Sequence, residues 1–249
     1  MESKIQSDGC LSVVIPAYNE EATLASVVEE VLKLQQVLEV IVVDDGSTDS
    51  TPAICAELAK LPRVRILRQP KNAGKCAALK AGFAVTTGDI VIVQDADLEY
   101  DPSEIPEVIQ PILDGHADVV FGSRFLVRKS ARVLYFYHYV ANKGLTLFSN
   151  LLTNVNFTDV ETGYKAFRGG IIRNMVITSR GFGIEIEITA KIAKLGCAIY
   201  EVPISYHGRT YEQGKKIGLS DGFEALWYIV KFNLFCSLEA SFLKLPVKP

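Results

Sequence analysis

The stretch IVIVQDADLE, residues 90–99, decides the expected fold, because four β-branched residues in a row lead directly into two closely spaced carboxylates. Such a run is typical of a buried strand. In an open parallel sheet, ligands bind beyond the carboxyl ends of the strands. Asp95 and Asp97 therefore stand where a ligand is expected, one residue apart at a strand end.

Similar runs recur on both sides of this stretch, with helical patterns between them. The five runs are Leu11–Pro16, Glu39–Val43, Val64–Leu67, Asp89–Val93 and Asp118–Phe121. They begin 28, 25, 25 and 29 residues apart, close to the length of one strand–helix–strand unit. The pattern predicts an α/β fold in which a Rossmann-like, mostly parallel sheet is flanked by helices.

The helices between the strands have recognisable starts. Thr51 followed by Pro52 predicts an N-cap with proline at the first helical position, and Ser103 predicts a similar start. After about residue 123 the alternation ends. Helical patterns then cover roughly 133–152, 184–195 and 220–236, with a strand-like segment at Ala198–Ser205. These patterns predict C-terminal helices packed beside the sheet.

Composition limits the possible classes of protein. The chain has 249 residues, of which 49% are hydrophobic, and it has no linker-like segment, so we expect one domain over residues 1–249. A net charge of −3 leaves no surplus of cations for a nucleic-acid backbone. The five cysteines lack metal-ligand spacing and are expected to be reduced thiols in a cytoplasmic protein. Charged residues near the N-terminus and within 225–242 argue against export and against a membrane span.

Polar clusters follow three of the expected strands. They are PAYNE at 16–20, DDGS at 44–47 and QDADLE at 94–99. No G-x-G-x-x-G follows the first strand, and Gly74-Lys75 lacks the other glycine of a Walker loop, so a dehydrogenase or a P-loop ATPase is disfavoured. The three clusters are expected to converge at one edge of the sheet.

The acidic clusters predict a site for a divalent cation. Asp95 and Asp97 can both face one hard cation, Mg²⁺ or Mn²⁺, which would also take the oxygens of a diphosphate. The alternative is that these aspartates only form the turn after the strand. For the 44–47 cluster the alternative is a tight turn in which Ser47 or Asp49 caps the next helix, a role that is compatible with a ligand contact by Asp45.

Several motifs together resemble glycosyltransferase family 2. They are PAYNE at 16–20, VDDGS at 43–47, NAGK at 72–75, DADLEY at 95–100, GSR at 122–124 and ETGYKAFR at 161–168. The resemblance runs from about residue 11 to 235, and the branch that it suggests is that of the polyprenyl-phosphate sugar synthases, of the dolichyl-phosphate mannose synthase type. It implies a GT-A fold and a hexosyltransferase that acts with inversion on a nucleotide sugar.

The resemblance also implies roles for individual residues. Residues from about 11 to 123 would bind the nucleotide sugar, and those from about 124 to 235 would face the acceptor. The implied donor-binding residues are Pro16, Ala17, Tyr18, Glu20, Asp45, Gly74, Lys75, Asp95, Ala96, Asp97, Arg209 and Lys215. Asp95, Asp97 and Glu99 would hold the metal, although relatives often carry glutamine at the third position. The implied catalytic residues are Asp97, Arg124, which would face the acceptor phosphate, and Arg209, which would cover the diphosphate.

The acceptor and the donor base stay open at this point. A polyprenyl phosphate, such as dolichyl or undecaprenyl phosphate, is already ionised and needs no strong base. A glycan or small-molecule hydroxyl would need a carboxylate such as Glu185, Glu187 or Asp159. Arg128, Lys129, Arg132 and Lys143 are candidates for further contacts with an acceptor phosphate. The donor could be a GDP-sugar or a UDP-sugar, and a non-catalytic nucleotide-sugar-binding protein is the alternative from another class.

Two aromatic segments raise the question of membrane contact. Residues 132–142 combine aromatic and basic side chains, as interfacial helices do, but core packing explains the aromatics equally well. Residues 223–232 carry the same ambiguity, with a homo-oligomer interface as a further possibility. Any attachment to the cytosolic face of a membrane is expected to be peripheral.

Overall fold

The computed structural model describes residues 5–126, 133, 135–181, 183–208 and 219–246. Within them lies one seven-stranded sheet with helices packed against it. Its strands are β1 Leu11–Ala17, β2 Val37–Asp44, β3 Val64–Arg68, β4 Ile90–Val93, β5 Val119–Ser123, β6 Lys165–Arg168 and β7 Ile199–Pro203. The helices are α1 Leu24–Leu32, α2 Thr51–Leu58, α3 Lys75–Val85, α4 Ile105–Leu113, α5 Phe136–Thr153, α6 Gly169–Asn174, α7 Gly183–Leu195, α8 Leu219–Leu234 and α9 Leu238–Ser241.

The sheet is mostly parallel, as the spacing of the strand runs predicts. Its order is β3-β2-β1-β4-β6-β5-β7. β6 is antiparallel to both of its neighbours, β4 and β5, and every other pair is parallel. The prediction of an α/β fold is confirmed, whereas β6 was not among the predicted strands. β6 separates the ends of β4 and β5, which a simple alternating topology would not do.

The long aliphatic runs follow from the burial of both faces of the sheet. Along β1, Val13 and Ile15 pack into one core and Val14 packs into the other. All three side chains are fully buried. Burial of one such side chain contributes about 1.5–3 kcal/mol, so each central strand anchors helices on both sides of the sheet. Tyr164, directly before β6, and Phe167, within it, are likewise fully buried in these cores.

Two predicted helix starts are corrected by the structure. Thr51 is the first helical residue rather than the N-cap, which is Ser50. The Thr51 backbone N–H donates to Asp49 Oδ1 at 2.9 Å, so Asp49 supplies the capping oxygen that was expected from Thr51. The second start is a short 3₁₀ helix that precedes α4, and its N-cap is Asp101 rather than Ser103. The Ser103 N–H donates to Asp101 Oδ1 at 2.8 Å.

The C-terminal helices form a layer beside the sheet. α7 packs against α8, and α8 packs against α5. Tyr228 of α8 lies so close to Gly183 that a Cβ at residue 183 would be 2.2 Å from the ring. None of the described helices combines the length and the apolar character that crossing a bilayer requires.

Candidate active site

A cleft lies at the carboxyl ends of β1, β2 and β4, and its volume is about 260 Å³. The three polar clusters that follow these strands converge there. The lining residues are Pro16, Ala17, Tyr18, Glu20, Asp45, Lys75, Ala78, Asp95, Ala96, Asp97 and Glu99. The structure thus brings together ten of the residues that were predicted to bind the donor or the metal. The eleventh lining residue, Ala78, lies one turn beyond Lys75 on α3.

The first wall of the cleft is the loop after β1, which is held by the loop after β2. The Asn19 N–H donates to Ser47 Oγ at 3.0 Å, and the Glu20 N–H donates to Thr51 Oγ1 at 2.9 Å. Asn19 adopts a left-handed conformation with a φ of 55°, a conformation that asparagine tolerates better than most residues. These bonds fix the loop while leaving the Tyr18 ring 44% exposed at the mouth of the cleft.

Asp45 organises the second wall. Its carboxylate is buried and accepts hydrogen bonds from the N–H groups of Ala73 at 3.0 Å and Gly74 at 2.7 Å. The neighbouring Asp44 accepts from the Ser47 N–H at 2.9 Å, which forms the expected turn. Asp45 therefore both lines the cleft and fixes the segment that delivers Lys75. Gly74, which was predicted to bind the donor, is placed here as the N-cap of α3 rather than in the lining.

An ion pair crosses the floor of the cleft. Lys75 Nζ lies 2.6 Å from Asp95 Oδ1 and 2.8 Å from Asp95 Oδ2. Burial of the ammonium opposes its charge, but the carboxylates of Asp95 and Glu185 prevail and raise the pKa of Lys75 above its usual range. Gly163 backs onto this pair, because a Cβ there would lie 3.0 Å from Asp95 Oδ2. Lys75 therefore places a positive charge, held by the Asp95 carboxylate, where a diphosphate was expected.

The loop after β4 presents the remaining carboxylates. Leu98 has a left-handed φ of 58°, and the turn that it makes lets the Glu99 N–H donate to Asp97 Oδ1 at 3.1 Å. Glu99 Oε2 accepts a hydrogen bond from the Tyr206 hydroxyl at 2.9 Å. No group of three acidic, histidine or cysteine side chains in the described ranges is close enough to form a complete metal site. Two carboxylates on an open cleft nevertheless suit Mg²⁺ or Mn²⁺, which take few protein ligands and complete their shell with phosphate oxygens.

Arg124 and Asp159 lie beyond β5, at the edge where the acceptor was predicted to bind. Arg124 Nε donates to Asp159 Oδ2 and its Nη2 donates to Oδ1, both at 2.7 Å. Burial opposes the charge of the guanidinium, but Asp159 prevails and raises the pKa of Arg124. The same guanidinium lies over the Tyr206 ring, 5.2 Å from its centroid. Asp159, one of the three predicted bases, is thus fully buried and paired with a cation.

The other two predicted bases are also buried in ion pairs. Glu185 contacts Lys165, and Glu187 Oε1 lies 2.5 Å from Lys191 Nζ. Glu187 in addition accepts from the N–H groups of Thr178 and Ser179. Both glutamates lie in α7, within the helix that the sequence predicts over roughly 184–195, and both are buried rather than solvated. Lys165 comes from β6, and Lys191 comes from the next turn of α7. These two ion pairs explain why the glutamates tolerate burial.

Glu161 was quoted in a motif but was not predicted to have a role. Its Oε1 is buried and has no hydrogen-bond partner among the residues that the structure describes. Burial, and after it the charge of Glu185, raise the pKa of Glu161 to about 7. Lys165 and Arg124 act in the opposite direction. The clue in the sequence was that Glu161 opens the motif ETGYKAFR and follows Asp159 by two positions.

Lys143 lies at the same edge as Arg124. Its Nζ donates to the Thr158 carbonyl at 3.1 Å and lies 4.4 Å from the centroid of the Phe125 ring. Tyr206, which was not predicted, joins this edge to Glu99. The other basic residues that were predicted to meet a phosphate fall outside the described residues: Arg128, Lys129, Arg132, Arg209 and Lys215.

Comparisons with known proteins identify the family. Residues 12–175 match the family model described as glycosyl transferase family 2. The chain is 30% identical over 230 residues to a polyprenol monophosphomannose synthase of Mycolicibacterium smegmatis, covering 89% of this chain and 86% of the relative. It is 31% identical over 227 residues to a dolichol-phosphate mannosyltransferase of Pyrococcus furiosus, covering 89% of this chain and 63% of the relative.

Solved structures with the same fold include glucosyl-3-phosphoglycerate synthase from Mycobacterium tuberculosis. Its complex with UDP superposes with a TM-score of 0.68 at 25% identity, covering 89% of this chain and 79% of that one. A complex of the same enzyme with Mn²⁺, UDP and glucosyl-3-phosphoglycerate superposes with a TM-score of 0.68 at 24% identity, covering 90% and 79%. Because its identity is only 24%, the similarity to this second complex is evidence for the fold alone.

Proposed function

Because this chain belongs to glycosyltransferase family 2 and is a GT-A glycosyltransferase, we propose that it transfers a hexose, with inversion, from a nucleotide diphosphate sugar to a polyprenyl phosphate. The observation that carries the proposal is the Lys75–Asp95 ion pair on the floor of a cleft lined by Asp97 and Asp45. The relatives named for transfer to polyprenol or dolichol phosphate support the choice of acceptor.

The cleft holds the groups that a departing diphosphate needs. Lys75 is a fixed cation whose present partner, Asp95, can be exchanged for phosphate oxygens. Asp95 and Asp97, with Glu99 as a further candidate, would hold a divalent cation that stabilises the negative charge of the leaving diphosphate. Asp45 fixes the backbone around Lys75, so the ammonium is held in place before the donor binds. Arg209 and Lys215 would complete this side.

The acceptor side favours an acceptor that is already ionised. Arg124 is oriented by Asp159 through two parallel hydrogen bonds and lies at the end of β5. Each of the three predicted bases is already engaged in an ion pair with a cation inside the protein. A phosphate monoester carries its own negative charge and needs only to be positioned. Arg124, with Lys143 nearby, would supply that positioning.

A hydroxyl acceptor is the second candidate, and Glu161 is the observation that favours it. A carboxyl group with a pKa of about 7 is suited to accept a proton near neutral pH. In that reaction the acceptor hydroxyl would pass its proton to Glu161 as its oxygen bonds to the anomeric carbon. The two candidates differ in their need for this residue. Transfer to a lipid phosphate should survive Glu161→Gln, whereas transfer to a hydroxyl should not.

We place the protein at the cytosolic face of a membrane as a peripheral protein. The support is a surface formed by α5 and α8, here called the α5–α8 apolar face, on which several large apolar side chains are exposed. They are Phe136, Tyr137, Leu147 and Leu151 of α5, and Phe223, Leu226 and Trp227 of α8. A surface of this kind suits the headgroup region of a bilayer, where a polyprenyl phosphate presents its charge.

The decisive experiment offers the protein a panel of GDP- and UDP-hexoses with a short polyprenyl phosphate, in Mg²⁺, in Mn²⁺ and in chelator. We expect a sugar–lipid product that disappears in chelator. Asp97→Ala should lower turnover at least about a hundredfold without changing the melting temperature. Asp114→Ala, at an exposed aspartate after α4, is the matched control. Product formation that persists in chelator would refute the metal requirement, and nucleotide binding without any transfer would favour the non-catalytic alternative.

A further inference from the structure

Tyr206 follows β7 and lies between the two edges of the cleft. Its hydroxyl donates to Glu99 Oε2 at 2.9 Å, on the side of the predicted metal and donor. The face of its ring lies under the Arg124 guanidinium, 5.2 Å from centroid to carbon, on the side of the predicted acceptor. One side chain therefore contacts a candidate residue of each substrate site.

The topology of the sheet explains why such a connection is needed. Glu99 follows β4 and Arg124 follows β5, but β6 is inserted between these two strands. β7 lies on the far side of β5, and its parallel pairing continues into the Ile204 N–H, which donates to the Ser123 carbonyl at 3.1 Å. Tyr206, two residues further on, reaches back over this edge of the sheet. It spans the gap that the insertion of β6 creates.

The surroundings of Tyr206 fix its ring. Tyr100 packs against it with 5.5 Å between centroids, and a Cβ at Gly208 would lie 2.6 Å from the ring. The His207 N–H donates to the Glu99 carbonyl at 2.9 Å, so the backbone after Tyr206 is tied to the same residue as its hydroxyl.

We propose that Tyr206 is a positioning residue that couples the donor site to the acceptor site, holding Glu99 through its hydroxyl and Arg124 through its ring. The proposal rests on the function proposed above. Since the two contacts use different parts of the side chain, they can be removed separately. Tyr206→Phe removes the bond to Glu99 and keeps the ring under Arg124. Tyr206→Leu removes both contacts.

The kinetic test compares these two variants. Tyr206→Phe should raise the KM for the nucleotide sugar about tenfold, the usual effect of losing one hydrogen bond to a charged group. It should change the KM for the acceptor less than about twofold. Tyr206→Leu should raise both. Tyr200→Phe, on the exposed side of β7 beside His116, is the matched control and should change neither.

A double-mutant cycle distinguishes positioning from a general loss of stability. In a Glu99→Gln background, Tyr206→Phe should have less effect on the donor KM than in the wild type, because its charged partner is gone. Effects that multiply fully, or an equal rise of both KM values in Tyr206→Phe, would overturn the inference.

Binding measurements separate failure of the inference from failure of the proposed function. The wild type and both variants are titrated calorimetrically with UDP and with GDP in the presence of Mn²⁺. We expect Tyr206→Phe to bind its nucleotide about tenfold more weakly than the wild type. Equal binding by the two proteins would overturn the inference alone. A wild type that binds neither nucleotide would overturn the proposed function and the inference together.

Discussion

Charge compensation at single residues shapes the site. Asp95 is held by Lys75, and Asp159 is held by Arg124, so the acidic clusters of the sequence do not meet as bare carboxylates. Removing one member of such a pair leaves the other charge buried without compensation, and this lowers the stability of the protein more than replacing the whole pair does. Glu161 differs from these residues, because its buried Oε1 has no hydrogen-bond partner within the described part of the chain.

The raised pKa of Glu161 predicts a specific pH dependence of stability. With a pKa of about 7 in the folded protein and an ordinary value of 4.5, the folded state binds the proton more tightly than the unfolded state. The resulting stabilisation is complete below about pH 4.5 and is lost as the pH rises through about 7. Glu161→Gln should remove this dependence and should leave the variant more stable than the wild type at pH 8, by about 3 kcal/mol.

Urea unfolding at pH 5 and at pH 8 checks this prediction. Glu107→Gln, at an exposed glutamate of α4, serves as the control for the loss of a carboxylate and should follow the wild type at both pH values. The assignment of the raised pKa to Glu161 would be wrong if Glu161→Gln lost as much stability between the two pH values as the wild type does.

At the scale of the elements, the packing of α3 on β1 sets the position of Lys75. Gly82 of α3 faces Val14 of β1, and a Cβ at residue 82 would lie 2.4 Å from Val14 Cγ1. The helix can lie this close to the sheet only because residue 82 has no side chain. Lys75 is the first residue of α3, so the packing of this helix on β1 contributes to the position from which its side chain reaches Asp95.

Two glycine substitutions in helices should therefore act in opposite directions. Gly82→Ala forces α3 away from β1 and should lower the free energy of unfolding by about 1–3 kcal/mol, as overpacking of a core does. Gly144→Ala in α5 meets no atom within 4 Å and should raise it by up to about 1 kcal/mol, because alanine is the better helix former. Chemical denaturation measures both, and a Gly82→Ala protein as stable as Gly144→Ala would contradict the packing argument.

The elements also show which parts of the structure the sequence predicts. β1, β2, β4 and β5 were predicted because each is a run rich in β-branched residues that is largely buried on both faces. The edge strand β3 is only partly buried, and it was predicted from its valine and isoleucine and from the spacing of the runs. β6 was missed because Lys165–Arg168 contains no β-branched residue and carries a charge at each end. Lys165 tolerates burial in this strand because its Nζ donates to the Thr162 carbonyl and forms an ion pair with Glu185 of α7. That contact joins residues twenty positions apart, and no local pattern contains it.

The candidate site was likewise predictable only where it depends on the strands that the sequence reveals. Residues at the ends of β1, β2 and β4 follow from the rule for ligands in parallel sheets, and they line one cleft. The pairing of Arg124 with Asp159 and the contact of Tyr206 with Glu99 depend on the insertion of β6 and on the course of the chain after β7. The sequence named Arg124 and Asp159 separately, one for the acceptor and one as a base, and their mutual bond changes the expected role of Asp159.

At the scale of the whole molecule, the α5–α8 apolar face carries seven exposed large apolar side chains in the described part of the chain. Trp227, the single tryptophan of the chain, lies on it with 58% of its surface exposed. Lys231, on the next turn of α8, lies 4.9 Å from the centroid of the Phe232 ring and adds a positive charge near this surface. A face of this composition suits anionic lipid.

Binding to vesicles tests this use of the face. With vesicles of phosphatidylcholine and phosphatidylglycerol, the protein should co-sediment and its Trp227 fluorescence should shift to shorter wavelength. Phe223→Asp should weaken binding at least about tenfold, because it removes one buried aromatic side chain from the contact. Leu61→Asp, at an exposed apolar residue outside both helices, should not. If the wild type fails to co-sediment and instead forms dimers that Phe223→Asp dissociates, the face joins two copies of the chain.

The antiparallel insertion of β6 has a consequence for synthesis on the ribosome. β5 emerges before β6, yet in the described sheet its neighbours are β6 and β7, so it has no partner until residue 168 has left the exit tunnel. At a translation rate of about 5–20 residues per second, the interval lasts roughly 2 to 10 s. During that time the edge of β4 and both edges of β5 are open to non-native strand pairing. The nascent chain should therefore be most dependent on chaperones while residues 124–168 are leaving the exit tunnel.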